Sequence, residues 1–166
     1  METVYLALGT NLGDRAVNLR QARRALRPHF SLEVCSPVYE TEPAYVLDQP
    51  RFLNQVCRAS TPLEPLAALR QLKAIEAELG RTAAPRFGPR LIDLDLLLHG
   101  AALMETPELT LPHPRLAERP FVLVPMADIA PDLVHPRLGL TMAQLRDRLG
   151  STRDAVWPAP DAASRS

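Results

Sequence analysis

Apolar and polar positions follow two different periods along this chain. Residues 3–8, TVYLAL, read as a buried strand, and Gly9-Thr10-Asn11 as a turn. Leu12, Ala16, Leu19, Ala22 and Leu26 then recur at steps of three and four, which is one apolar helix face. Asn11 or Asp14 can cap that helix, its arginines sit on the other faces, and Pro28 closes it. Residues 32–41, LEVCSPVYET, read as a second strand interrupted at Pro37. A proline-containing loop over 42–51 leads to a third strand, 52–60, FLNQVCRAS. Pro62 or Pro65 opens a second helix, where a missing N–H costs little. Its buried stripe is Leu66, Leu69, Leu72, Ile75 and Leu79, and Gly80 ends it. Residues 91–98, LIDLDLLL, are a strong strand, which His99-Gly100 turns back into a short run over 101–104. Beyond Pro112 come short helical pieces broken by Pro120, Pro125 and Pro131, and Thr141 can cap a last helix over 142–149.

The order β-α-β-β-α-β predicts an α+β fold: a ferredoxin-like βαββαβ core, an α/β sandwich, with an extra hairpin and C-terminal helices. A length of 166 residues suits one domain with one core, placed at 1–150. The segment 151–166 is expected to be a flexible tail, although Trp157 can dock on the body.

Charge narrows the partners. Lys+Arg and Asp+Glu both total 19, so the net charge is zero and a protein built for nucleic acid or an anionic membrane is not expected. The sequence has no apolar run long enough for a membrane span, and neither a span nor a secretory leader is expected. Cys35 and Cys57 are too few for a disulfide framework, so buried free thiols in a cytoplasmic protein are expected.

Against that neutral background, local clusters carry information. Strand alternation puts Ile92, Leu94, Leu96 and Leu98 on one face of residues 91–98, and Asp93 and Asp95 on the other. The two carboxylates then have Cα atoms roughly 6.5 Å apart. Each disfavours ionisation of the other, and a hard cation between them removes that cost. Such a pair fits either a Mg²⁺ site or two solvated aspartates. The preceding loop carries Arg81, Arg86 and Arg90 with no anion, and guanidinium groups match phosphate oxygens. A cationic loop running into an acidic pair points to a metal-bound polyphosphate. His113 and Arg119 in LPHPRLAERPF can add a proton donor and a further cation, or be structural. Glu76 reads as an ordinary exposed helix residue. The sequence contains no GxxxxGK[ST], HExxH or GxSxG, so a P-loop, a zinc peptidase and a serine hydrolase have no support.

The segments LALGTNLGDR, SPVYETEP, DQPRFLN, GRTAAPRFGPRLIDLDLLLHG and LTLPHPRLAERPFVLVPMADIAP occur in this order. In this the chain resembles the 6-hydroxymethyl-7,8-dihydropterin pyrophosphokinases, and FGPRLIDLDLLLHG resembles their signature. The resemblance implies transfer of the terminal diphosphate of ATP, as co-substrate, to a reduced pterin, in folate biosynthesis. It implies that Asp93 and Asp95 hold two Mg²⁺ ions, with Asp95, Arg81 and Arg90 in catalytic roles. It implies that Lys73, Glu76, Arg81, Arg86, Arg90, His113 and Arg119 face ATP. Gly9, Thr41, Phe52, Asn54, Phe87 and Phe121 would line the pterin slot. The chemistry of those residues agrees, because a flat heterocycle suits two aromatic faces, and its edge suits an amide that donates and accepts. The chain departs from the family pattern at Phe52, where tyrosine is frequent, and at Phe87, where tryptophan is frequent. Lys73 stands where the family has a glutamine. A monomer acting on small molecules is expected. The rivals are another Mg²⁺-dependent nucleotidyl or phosphoryl transferase, told apart by its products, and a non-catalytic binding module, which would not need Asp93 and Asp95.

Overall fold

The computed structural model describes residues 1–43, 48–80, 91–151 and 155–159. Strand β1, Glu2–Thr10, is central, with β4, Phe52–Thr61, on one side and β5, Asp93–His99, on the other, both antiparallel to it. Both β2, Ser31–Cys35, and β3, Tyr39–Thr41, pair with the far side of β4. The single strand expected over 32–41 is therefore two, because the chain leaves the ladder around Pro37 and rejoins β4 further along it. The segment expected to be a flexible tail contributes a strand, β8, Val156–Pro158, which pairs with the outer edge of β3. The main sheet order is β5-β1-β4-β3-β8, with β2 also on β4. The run at 101–104 becomes a two-stranded hairpin of β6, Met104–Glu105, and β7, Thr110–Leu111.

Helices cover both faces of the sheet. On one face lie α1, Arg15–Leu26, and α2, Pro65–Glu78. They bury Leu19, Ala22, Leu26, Leu72 and Ile75 against Leu6, Leu8, Leu94 and Leu96. Asp14 caps α1, its side chain accepting from Val17 N at 3.2 Å. One α1 arginine leaves the expected polar face. Arg23 is 5% exposed and donates to Gln55 Oε1 at 2.8 Å, which satisfies a cation inside the sandwich. Gly80, with φ +83°, turns the chain out of α2 in a conformation that favours glycine.

On the other face lie α3, Pro120–Ile129, and α4, Met142–Arg148. Val122, Leu123, Met126, Met142 and Leu145 pack on Tyr5, Val56, Leu97 and Leu98 there. Leu98 thus departs from the alternation expected for 91–98. The β1–β5 register shifts between Tyr5 and Leu6, so that Leu97 becomes an extra residue in a bulge and Leu98 turns to the α3 side. The bulge lies C-terminal to the acidic pair and leaves its alternation intact. Pro125 sits inside α3 without ending it, and Thr141 forms a capping box with Gln144 on α4.

Cys35 and Cys57 face each other across β2 and β4 and form a disulfide. The expectation of free thiols is therefore wrong for this structure. Sequence spacing does not reveal that the two strands are neighbours in register.

Candidate functional site

The site is a row of residues across one end of the sheet, on the α3 face. Asp93 is the ladder partner of Gly9, Gly9 of Asn54, and Asn54 of Tyr39. Directly paired residues share a face, so Asp93, Gly9 and Asn54 point the same way. Asp95 follows two residues later opposite Ala7, and Phe52 and Thr41 pair at the end of β4 and β3. The acidic pair and four of the residues expected in the pterin slot therefore share one face and one end of the sheet.

The slot side is built closely. The Asn54 amide donates to Thr41 Oγ1 at 2.7 Å, which fixes the amide so that its oxygen turns towards Gly9. A Cβ at Gly9 would lie 3.2 Å from that oxygen and 3.8 Å from Phe52 Cδ1. Glycine there keeps the floor between the amide and the ring clear. Phe121 stands at the start of α3, with the Arg119 guanidinium 5.5 Å above its ring centre. Pro120 at the first turn of α3 supplies the preset φ that starts the helix at this point. Tyr39, beside Asn54 in the ladder, donates its hydroxyl to Asp128 of α3 and so ties β3 to that helix. Burial, then the bond to Asp128, pushes the Tyr39 pKa up.

The acidic side is electrostatically tense. Burial, and then the neighbouring Asp93, raise the Asp95 pKa to about 7. Arg119 and then Lys73 pull it back, while Glu76 adds to the rise. Two carboxylates that resist joint ionisation, with hard oxygen donors, fit Mg²⁺. Among the described residues no group of three or more metal-ligating side chains gathers.

One residue behaves differently from its reading in the sequence. Glu76 is 1% exposed, not an exposed helix residue. Its carboxylate accepts from the backbone N–H of Leu94 at 2.8 Å, the residue between the two aspartates, and its other oxygen lies 3.5 Å from Lys73 Nζ. Burial of an acid on α2 is tolerated because a strand N–H and an ammonium meet it. His113 is held against β5 by its N–H, which donates to Leu97 O at 2.9 Å. Its Nδ1 accepts from Arg115 N at 3.2 Å, so the neutral ring carries its proton on Nε2. Burial, then Arg119, lowers the His113 pKa to about 4. Near neutral pH His113 is an uncharged donor.

Arg81, Arg86, Phe87 and Arg90 lie outside the described residues. The structure brings together Asp93, Asp95, His113, Arg119, Lys73 and Glu76 on the acidic side, and Gly9, Thr41, Phe52 and Asn54 on the slot side. Phe121 lies beneath Arg119 of the acidic side. Sequence reasoning missed the ion pairs behind Phe52, in which Glu40 meets Arg15 at 3.0 Å and Arg51 at 3.7 Å. It also missed Tyr39–Asp128, whose partners are 89 residues apart and leave no local signal.

Comparison with known proteins converges on one family. Residues 5–131 match the 7,8-dihydro-6-hydroxymethylpterin-pyrophosphokinase family. The chain is 47% identical over 127 residues to the 2-amino-4-hydroxy-6-hydroxymethyldihydropteridine pyrophosphokinase of Bacillus subtilis, covering 75% of this chain and 76% of that protein. It is 47% identical over 129 residues to the mitochondrial folate synthesis bifunctional protein of Pisum sativum, covering 77% of this chain but only 25% of that protein. The chain thus spans about a quarter of the length of the longer plant relative. Its fold resembles the crystal structure of Plasmodium falciparum HPPK-DHPS with pteroate, at a TM-score of 0.75 and 16% identity, over 91% of this chain and 45% of that one.

Proposed function

This chain belongs to the 7,8-dihydro-6-hydroxymethylpterin-pyrophosphokinase family, and on that premise we propose that it transfers the terminal diphosphate of ATP to 6-hydroxymethyl-7,8-dihydropterin. The pterin hydroxyl oxygen attacks the β-phosphorus, the bond from that phosphorus to the α–β bridging oxygen breaks, and AMP leaves. The hydroxyl proton goes to solvent, or to Asp95 if a protein base takes part. The observation that carries the reading is the row Asp93–Gly9–Asn54, which sets an acidic pair beside a fixed amide on one face. The antiparallel order β5-β1-β4-β3, with α1 and α2 on one side, supports a ferredoxin-like core.

The residues have separable tasks. Asn54, held by Thr41, presents an amide edge to the heterocycle, while Phe52 and Phe121 offer aromatic faces to it. Arg119 and Lys73 place positive charge near the acidic pair, where the phosphates would lie. The neutral His113 donates from Nε2 without adding charge. Asp93 and Asp95 would hold two Mg²⁺ ions, which when bound neutralise charge on the phosphates. Arg81, Arg86 and Arg90 complete the cationic side in this reading, with Phe87 on the pterin side.

Incubation with ATP and the hydroxymethyl dihydropterin, with and without Mg²⁺, tests the reaction. AMP and a pterin diphosphate should form only with the metal and the pterin present. Release of ADP or pyrophosphate would support a different transferase, and no turnover would contradict the proposal. Phe52→Ala should raise the pterin KM by about tenfold, the order expected when a stacked ring is lost. The KM for ATP should stay within about twofold, since Phe52 sits two strand spacings of about 4.8 Å from β5. Equal loss of both affinities in steady-state kinetics would argue against separate subsites.

A further inference from the structure

We infer that the C-terminal strand β8 is a positioning strap for the slot side of the site, with Trp157 and Arg51 as its positioning residues. The inference rests on the proposed pterin reading for its kinetic consequence. Its structural basis is independent of that reading.

Strand β8 pairs with β3 so that Val156 lies opposite Thr41 and Trp157 opposite Glu40. Without β8, β3 would be a three-residue edge strand with a ladder partner, β4, on one side alone. Thr41 is the residue that receives the Asn54 amide. The outer ladder therefore sets where Thr41 sits, and Thr41 sets how Asn54 is turned.

Trp157 acts on the opposite face of the same strands. The Arg51 guanidinium lies 4.9 Å from the centre of its ring, within cation–π range. Arg51 immediately precedes Phe52, so its side chain emerges behind the phenylalanine. Its Nε donates to Glu42 Oε1 at 3.0 Å, and its backbone oxygen accepts from Arg15 Nη1 at 3.0 Å. Arg15 also meets Glu40, which lies opposite Trp157. Residues 40–42 and 51–52 are thereby clamped together behind the slot, and the indole covers the clamp. Each ion pair is partly exposed and weak alone. Their closure under one aromatic plate gives the group a single arrangement.

Distance makes the effect selective. Four strand spacings of about 4.8 Å separate β8 from β5, so the acidic pair lies roughly 19 Å from Trp157. Loss of the strap should reach the pterin and spare the nucleotide.

The test compares Trp157→Ala, Trp157→Phe and deletion of residues 151–166 in steady-state kinetics, with amide hydrogen exchange on the free proteins. The deletion should raise the pterin KM by about tenfold and Trp157→Ala by about threefold, the scale of one exposed cation–π contact. Trp157→Phe, which keeps a plate, should stay near wild type, and the ATP KM should stay within about twofold throughout. Exchange at Glu40 and Thr41 should accelerate in the deletion and in Trp157→Ala. A pterin KM unchanged in both variants, a parallel rise in the ATP KM, or unchanged exchange at Glu40 and Thr41 would overturn the strap. A wild-type protein that forms no pterin diphosphate would instead overturn the proposed reaction, leaving the exchange result to decide whether β8 orders β3.

Discussion

Replacing Asp95 by alanine is expected to cut AMP release by at least about a hundredfold, the usual scale when developing charge loses a preorganised partner. The same change should leave the melting temperature equal or higher. Burial and Asp93 hold the Asp95 pKa near 7, above its ordinary carboxylate value, so the ionised form is disfavoured in the folded protein. A group whose folded pKa is raised in this way costs stability once the pH exceeds its unfolded value. Removing it relieves that cost at pH 8. Activity and stability should therefore move in opposite directions, which a residue serving only the fold would not do. AMP release by chromatography and a thermal melt at pH 8 check both halves. Near wild-type turnover, or a sharply lower melting temperature, would contradict the role assigned to Asp95.

Glu76→Ala carries the second large effect, and it should damage both properties. Glu76 touches the strand between the two aspartates, because Leu94 N–H donates to its carboxylate at 2.8 Å. Alanine leaves that buried N–H without this acceptor, at a cost of about 1–3 kcal/mol. A small shift of β5 then moves Asp93 and Asp95 together, and a displacement near 1 Å can lower turnover by about a hundredfold. Glu76→Gln separates the geometric part from the charge. A glutamine oxygen can still accept from Leu94, so most of the stability should return. Loss of negative charge beside Lys73 and Asp95 would remain. Denaturant melts and turnover of both variants measure this, and equal stability loss in the two would show that charge, not the Leu94 bond, is what Glu76 provides.

The parts of this protein that sequence reveals are those set by local repetition. The period of Leu19, Ala22 and Leu26 locates α1, and the alternation of Ile92, Asp93, Leu94 and Asp95 puts both carboxylates on one face. Proline and capping residues mark where helices begin, as at Pro65, Pro120 and Thr141. What depends on strand neighbours was hidden. The Cys35–Cys57 pairing follows from β2 lying against β4, which no local spacing states. The bulge that turns Leu98 to the α3 face arises between β1 and β5, so strict alternation fails there. Glu76 sits on the polar side of its helix pattern, and only the arrival of β5 beside α2 makes that position buried. Val156–Pro158 look like tail because their ladder partner is β3, more than a hundred residues earlier.

The resemblance to a known family added what physics alone left open. An acidic pair after a cationic loop fits several phosphate chemistries. The family match over residues 5–131 narrows them to one proposal. Under that proposal Gly9 would keep the Asn54 oxygen clear for the heterocycle, since a side chain there would press on it.

Binding of Mn²⁺, followed by electron paramagnetic resonance in the presence of a non-hydrolysable ATP analogue, tests the acidic pair most directly. Wild-type protein should take up two ions per chain, and Asp95→Asn should lose at least one of them while still folding. Identical stoichiometry and affinity in the two proteins would contradict metal binding by this strand.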